Sequence, residues 1–173
     1  MFQTLKATFT NRQTLAAGAL AAGSAVAIVT AWGFQIIGRF QPCPLCLEQR
    51  WPYYLGLPVA LVAFWVARRR VPRVVARGLL LVLAGLLLWG FGVALYQTGA
   101  QWGWWQLASE CAATGGGVTD AGSLMAQLST THVVSCTEVS FTLLGLSFAG
   151  WNVLFSLAMA AIAVAGAFAR SEN

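Results

Sequence analysis

The chain has 173 residues, of which 58% are hydrophobic and 9% are charged, and its formal net charge is +5. Soluble domains carry about 25% charged residues, so this composition excludes an ordinary water-soluble globule. Stretches without any charge run between residues 12 and 39, 50 and 68, 77 and 110, and 138 and 170. Because about 20 apolar residues span a bilayer, the sequence predicts an all-α integral membrane protein, a four-transmembrane-helix bundle.

The first predicted span covers residues 15–37. Lys6 and Arg12 precede it, as basic residues precede the core of a signal peptide, and residues 25–27 resemble a cleavage site. The apolar run nevertheless continues to Ile37, which is longer than a signal core. We therefore expect this segment to be retained as the first membrane helix.

The second predicted span covers residues 44–67. The uncharged run that begins at Trp51 has 17 residues, about 25 Å of helix, which would barely cross a bilayer. A helix that begins at Pro44 would be long enough, and proline suits the first helical position. Pro52 and Pro58 would then lie inside this helix and are expected to kink it.

The third and fourth predicted spans cover residues 74–96 and 144–168, within a single membrane domain at 1–173. A long hydrophilic loop, 97–143, lies between them, and a short loop, 38–43, lies between the first two spans. Most basic residues fall at the termini and in the second connection: Lys6, Arg12, Arg68, Arg69, Arg70, Arg73, Arg77 and Arg170. By the positive-inside rule, both termini are cytoplasmic and the two loops periplasmic. The basic charge is thus a topology signal, and it gives no support to nucleic-acid binding.

Four cysteines form two sequence pairs on the predicted outer face, Cys43 with Cys46 and Cys111 with Cys136. An oxidising compartment makes structural disulfides the default, and four cysteines allow three pairings. A zinc ribbon would need two C-x-x-C segments, and a c-type haem would need histidine where Leu47 stands. We therefore expect no metal.

The first pair has features that favour redox chemistry over a structural bridge. A C-x-x-C disulfide closes too small a loop to constrain the unfolded chain much. The start of a helix favours a thiolate there, and Arg50 would add a positive charge one turn beyond Cys46. Cys111 and Cys136 bracket a Gly- and Ser-rich segment, which would leave them accessible to a soluble partner. Two such pairs can exchange disulfides in sequence.

Other polar and aromatic residues support weaker expectations. His132, the only histidine, is interpreted as an ordinary loop residue. Gln35 and Asn152 lie inside predicted spans, where interhelical hydrogen bonding is the favoured account and the lining of a cofactor pocket the alternative. An aromatic belt at the outer interface is expected from Trp32, Phe34, Trp51, Tyr53 and Tyr54.

The segment CPLCLEQRWPYY between two spans, the long third connection with a second cysteine pair, and CTEVSFTLLGLSFAGWN before the last span resemble the DsbB family over nearly the whole chain. The resemblance implies a bacterial inner-membrane enzyme. Such an enzyme reoxidises the periplasmic thiol oxidase DsbA, or a DsbA-like partner, and passes the electrons to a membrane quinone, ubiquinone or menaquinone.

The resemblance also implies roles for individual residues. Reduced DsbA would form a mixed disulfide with Cys111, and Cys136 would then engage Cys43 and release Cys46 as the thiolate that faces the quinone. Arg50 would lie beside the quinone ring. The family often has an acidic residue directly before this arginine, whereas here Gln49 stands there, with Glu48 one place earlier.

Two alternatives remain open from the sequence. The chain could be a non-catalytic membrane anchor or assembly subunit whose outer loops carry two structural disulfides. It could also use the same mechanism with a different dithiol partner.

Overall fold

The computed structural model describes residues 12–39, 42–69, 72–105 and 142–169, and this part of the chain is predominantly helical. Its elements, in chain order, are α1 (Arg12–Ile36), α2 (Pro44–Glu48), α3 (Trp51–Arg68), α4 (Arg73–Gln101), β1 (Thr142–Leu143), β2 (Leu146–Ser147) and α5 (Phe148–Phe168).

The four long helices form a bundle in which each packs against two neighbours. Helix α1 lies against α3 and α5, and α4 lies against the same two helices. The Arg77 guanidinium lies 4.3 Å from the centre of the Phe168 ring, which places the start of α4 beside the end of α5. At the other end of the bundle, Gln97 near the end of α4 is bonded to Gln49 just before α3. Neighbouring helices therefore run antiparallel.

The core between the helices consists of leucine and many small residues. The buried residues include Ala17, Leu20, Ala60, Ala63, Leu80, Leu83, Leu87, Ala160 and Ala163. Small residues allow helix backbones to approach closely, which is how helices associate when both the core and the surroundings are apolar. The contact between α1 and α5 shows this directly, because a Cβ atom at Gly166 would collide with Ala16.

The outer faces of the bundle are apolar. Among the described residues, α1, α4 and α5 are long and apolar enough to cross a membrane, and only 33% of each apolar window is buried. Large apolar side chains point outward, such as Val29, which is 70% exposed. Apolar surfaces of this extent are typical of lipid-facing helices. Helix α3 is not among these candidates, because Trp, Pro and Tyr in its first turn and Arg68 at its end lower its mean hydropathy. A fourth span therefore stays a prediction.

The single helix expected over residues 44–67 is divided in two. Helix α2 ends at Glu48 and α3 begins at Trp51. Pro52 has no N–H to donate to the carbonyl of Glu48, and in a continuous helix its ring would clash with that carbonyl. Pro58, by contrast, lies within α3. The cysteine segment is therefore a short helix of its own at the entrance to α3.

A β-hairpin replaces the first turn of the helix expected over residues 144–168, and α5 begins at Phe148 instead. The hairpin turn consists of Leu144 and Gly145, both with positive φ, at 54° and 81°. Two such residues between paired strands form the turn whose twist matches that of a hairpin.

Ser147 joins this hairpin to two helices. Its hydroxyl accepts the N–H of Gly150 at 3.2 Å and thereby caps α5. The same hydroxyl donates to Gln101 Oε1 at 2.6 Å. Gln101 is the last residue of α4, which extends beyond the end expected from the sequence at residue 96. The additional turn of α4 carries polar side chains to the cysteine end of the bundle.

Candidate functional site

Cys43 and Cys46, the first predicted pair, lie together at the start of α2. Cys43 is the N-cap residue, and its Sγ accepts the backbone N–H of Cys46 at 3.3 Å. The two sulfur atoms are 2.6 Å apart, and no disulfide bond joins them. Cys43 is 3% exposed, whereas Cys46 is half-buried. A disulfide S–S bond is about 2.05 Å long, so the pair can open and close with little movement of the backbone.

The helix that begins at this pair is shorter than the sequence suggested. The expected stabilisation of a thiolate came from a long helix starting at Pro44, but α2 has five residues. A helix dipole is the sum of aligned peptide dipoles, so a single turn contributes little of it. Hydrogen bonds from nearby groups must therefore provide most of the stabilisation of a thiolate.

Gln97 on α4 provides two of these hydrogen bonds. Its Nε2 atom lies 3.4 Å from the sulfur of Cys43 and 3.4 Å from the sulfur of Cys46. Its Oε1 atom accepts a hydrogen bond from Gln49 Nε2 at 2.6 Å. Both glutamines are buried, with Gln97 only 2% exposed. The amide of Gln97 thus contacts both sulfurs from the interior of the bundle.

Two further side chains extend this polar cluster across the bundle. Asn152 on α5 donates from Nδ2 to Gln49 Oε1 at 2.7 Å. The hydroxyl of Tyr53 on α3 donates to Asn152 Oδ1 at 2.6 Å. The prediction of interhelical hydrogen bonding by Asn152 is therefore confirmed. Tyr53, expected in an outer aromatic belt, is instead buried within the bundle.

These surroundings lower the pKa of the Cys46 thiol from 9.0 to about 6. The largest cause is the hydrogen bond with Cys43, which stabilises the negative sulfur. Burial raises the pKa, but the Gln97 side chain lowers it again, and the charge of Arg50 makes a smaller contribution in the same direction. The thiolate is therefore the favoured form of Cys46 at neutral pH, and thiolates are the reactive species of cysteine.

Arg50, the predicted cofactor-binding residue, lies between α2 and α3 and points towards α1. Its Nη1 donates to Gln35 Oε1 at 2.7 Å, and its Nη2 lies 3.5 Å from the carbonyl oxygen of Ala31. Gln35 of α1 is thus bonded to the residue that precedes α3. Arg50 thus places a positive charge near Cys46 while it is held by α1.

A cleft of about 400 Å³ lies between α2 and α4. It is lined by Leu45, Glu48, Trp89, Gly92, Val93 and Tyr96. Arg50 is not among these residues. Glu48 is exposed at its edge, so the carboxylate and the guanidinium of the LEQR segment face different surroundings.

Sequence reasoning identified part of this site and missed part of it. Cys111, Cys136 and His132 lie outside the described residues. Gln97 was missed because the third helix was expected to end before it. Gln97 continues a series of buried positions on α4 that recur at alternating spacings of three and four residues. This series is visible only in the structure, because nearly every residue from 79 to 96 is apolar. The series is Leu80, Leu83, Leu87, Gly90, Ala94 and Gln97.

Comparison with known proteins agrees with this arrangement. A family model described as "Disulfide bond formation protein DsbB" matches residues 12–166. The chain belongs to the DsbB family. "Disulfide bond formation protein B" of Dechloromonas aromatica strain RCB is 33% identical over 149 residues, covering 79% of this chain and 81% of that relative. The protein of the same name from Polaromonas sp. strain JS666 is 35% identical over 134 residues, 74% of each chain. No solved structure matches.

Membership in the DsbB family has two direct consequences. The apolar helices belong to a membrane protein, in agreement with the composition and with the exposed faces of α1, α4 and α5. The protein is a disulfide-forming oxidoreductase, which agrees with two sulfur atoms held 2.6 Å apart.

Proposed function

We propose that this protein is a thiol:quinone oxidoreductase that reoxidises a periplasmic DsbA-like dithiol oxidase and delivers the electrons to a membrane quinone. The observation that supports this most strongly is the Cys43–Cys46 pair, whose sulfurs are adjacent and whose Cys46 thiol has a pKa of about 6. A low-pKa thiol is a good leaving group in disulfide exchange. Cys46 therefore suits the last position in a relay.

The proposed relay consists of two disulfide exchanges. A thiolate of the partner attacks Cys111, breaks a Cys111–Cys136 disulfide and leaves Cys136 as the free sulfur. Cys136 then attacks Cys43 in a Cys43–Cys46 disulfide and releases Cys46 as a thiolate. Each exchange forms one S–S bond and breaks one, so the two electrons of the partner dithiol arrive at Cys46.

The cleft between α2 and α4 has the chemistry to hold a quinone. When bound, a quinone supplies an acceptor for two electrons and two protons. Ligand sites are mostly apolar with a few placed polar groups and enclose about 300–1,000 Å³. The cleft beside α2 has about 400 Å³ and is lined largely by apolar and aromatic side chains. We propose that this cleft holds the ring while Arg50 stabilises negative charge at Cys46.

The proposed topology has four spans, with α3 as the second. Helix α3 is packed between α1 and α4, which supports a crossing of the same layer as these two candidate spans. Its 18 residues extend about 27 Å. Exposed arginines at the end of α3 and the start of α4 mark the cytoplasmic side by the positive-inside rule. The cysteines would then lie on the periplasmic side of a bacterial inner membrane.

Quinone reduction by the purified protein in lipid, with a reduced DsbA-like protein as donor, tests this proposal. We expect turnover that requires the donor and is lost in Cys46→Ser. The anchor alternative, in which both pairs are structural disulfides, predicts no turnover with any quinone or dithiol donor. Turnover that persists in Cys46→Ser would remove Cys46 from the electron path.

A further inference from the structure

The polar side chains beside the cysteines form one continuous chain of hydrogen bonds with a single direction. Tyr53 donates to Asn152, Asn152 to Gln49, and Gln49 to Gln97, over distances of 2.6 to 2.7 Å. Gln97 then donates to the sulfur atoms of the cysteine pair. Every amide in the chain accepts at its oxygen and donates from its nitrogen.

Once the hydroxyl of Tyr53 donates to Asn152, the chemistry of the amides sets the direction of the remaining hydrogen bonds. An amide oxygen can only accept hydrogen bonds, and an amide nitrogen can only donate them. If Asn152 accepts from the hydroxyl of Tyr53, its nitrogen must face Gln49. The oxygen of Gln49 then faces Asn152, and its nitrogen faces Gln97. The oxygen of Gln97 accepts from Gln49 at 2.6 Å and is 3.9 Å from the sulfur of Cys46. The nitrogen of Gln97 is closer, at 3.4 Å from each of the two sulfurs.

We propose that Gln97 is a positioning residue of the redox pair, and that Tyr53, Asn152 and Gln49 fix its orientation so that N–H donors always face the two sulfurs. Donors of this kind stabilise a thiolate more than a thiol. An amide turned the other way would present its oxygen and would favour the protonated sulfur. Tyr53, Asn152 and Gln49 thus influence the sulfur of Cys46 through Gln97, without contacting it themselves.

The location of this chain of hydrogen bonds strengthens the stabilisation of the thiolate. Gln49, Gln97 and Tyr53 are buried, and the four members come from the α2–α3 junction and from α3, α4 and α5. Water has little access to compete for their hydrogen bonds, so each bond is stronger than at a surface and reorientation is costly. Because three long helices contribute, packing of the bundle holds the amide in place.

The main test is the pH dependence of Cys46 alkylation in Gln97→Met. Full-length reduced protein in lipid would be treated with iodoacetamide, and modified Cys46 measured by peptide mass spectrometry. We expect the inflection in the plot of Cys46 alkylation rate against pH to move upward by about one pH unit, because a hydrogen bond to a charged sulfur is lost. Thr98→Val is the matched control: it removes a buried hydroxyl from the same turn of α4, which is bonded to the carbonyl of Ala94. Its inflection should match that of the native protein.

A second test changes Tyr53, the residue of the hydrogen-bonded chain that lies farthest from the sulfurs. Tyr53→Phe removes one hydroxyl and changes neither charge nor ring shape. We expect it to move the Cys46 inflection upward by a few tenths of a pH unit, since Asn152 loses the contact that fixes its orientation. If Tyr53 acts through Gln97, then Tyr53→Phe should have no additional effect in the Gln97→Met background.

The outcomes separate this inference from its alternatives. An unchanged inflection in Gln97→Met, or full additivity of the two substitutions, would overturn it. If Gln97→Met does not fold, Tyr53→Phe decides alone: a raised inflection supports the chain and an unchanged one refutes it. The inference rests on the proposed role of Cys46 as the reactive thiolate. Alkylation requires neither quinone nor partner, however, so failed electron transfer would leave this result intact.

Discussion

Uncharged polar side chains are buried at one end of the bundle, and arginine side chains are exposed at the other. At the cysteine end, Gln49, Gln97 and Tyr53 are buried, uncharged and bonded to one another or to Asn152. At the other end, Arg68, Arg69, Arg73 and Arg77 are exposed, and three of them lie over aromatic rings. Uncharged amides can be buried if every hydrogen bond is satisfied, whereas a charge is far more costly to bury.

This difference indicates a division of roles. The arginine end has the charged, aromatic character that fixes a membrane protein at an interface and sets its orientation. The cysteine end contains an ordered polar interior, which can orient a reactive group with precision. Substitutions at the cysteine end should therefore change the chemistry, and substitutions at the arginine end should change mainly stability.

The largest effect is expected from Arg50→Met. Removing a fixed charge that stabilises negative charge at a reacting group costs about 100-fold in rate, so we expect donor-dependent quinone reduction to fall by that order. Arg69→Met is the matched control, since Arg69 is an exposed arginine over Trp65, 4.1 Å from the ring centre. Equal turnover of Arg50→Met and the native protein would contradict the assigned role of Arg50.

A smaller effect is expected from filling the cleft with Gly92→Leu. No atom lies within 4 Å of a Cβ at this position, so the larger side chain should enter the cleft without disturbing the helix. We expect the KM for quinone to rise about tenfold, which corresponds to about 1.4 kcal/mol of lost binding. Gly85→Leu, at an equally open position on α4 outside the cleft, should have no effect. Equal KM values for both variants would show that the ring binds elsewhere.

The pH dependence of alkylation in the native protein reports the ionisation of Cys46. Because the pKa of Cys46 is lowered to about 6, the thiolate is present above this pH and is lost as the pH falls through it. We expect alkylation of Cys46 to be about ten times faster at pH 7 than at pH 5, with little further increase at pH 9. A rate that keeps rising to pH 9 would indicate an ordinary thiol.

The smallest effect is expected at the arginine end. Arg77→Gln removes a cation–π contact with Phe168, which contributes about 0.5–1 kcal/mol at an exposed site. Thermal unfolding in lipid should therefore occur at a slightly lower temperature, while the pH profile of Cys46 stays unchanged. A shifted Cys46 profile in this variant would show that the two ends are coupled.

The sequence was sufficient for the membrane class, the helical architecture and the cysteine pair. Charge-free apolar stretches report lipid exposure directly, and the CPLC spacing fixes both cysteines within one turn. These features depend on local order along the chain, so no three-dimensional information was required. Arg50 was expected on the same helical face as Cys46, one turn later, but α2 ends at Glu48 and Arg50 lies outside it, bonded to Gln35 of α1.

The polar chain beside the cysteines depends on packing between distant segments. Tyr53 looked like an interfacial aromatic residue and Gln97 like the start of a loop, because neither has a neighbour in sequence that reveals its partner. Their contacts with Asn152 and Gln49 arise only when α3, α4 and α5 come together. The break at Pro52 also changed the source of thiolate stabilisation, from a long helix to specific hydrogen bonds.

Electron transfer from the Cys43–Cys46 pair to quinone can be measured in isolation from the rest of the relay. A Cys111→Ser, Cys136→Ser variant would be fully reduced in lipid and mixed with quinone, without any partner protein. Thiols at the two remaining cysteines and the quinol formed would both be measured. We expect both thiols to disappear and one quinol to form per protein molecule. Persistence of both thiols in the presence of excess quinone would contradict the proposed electron transfer.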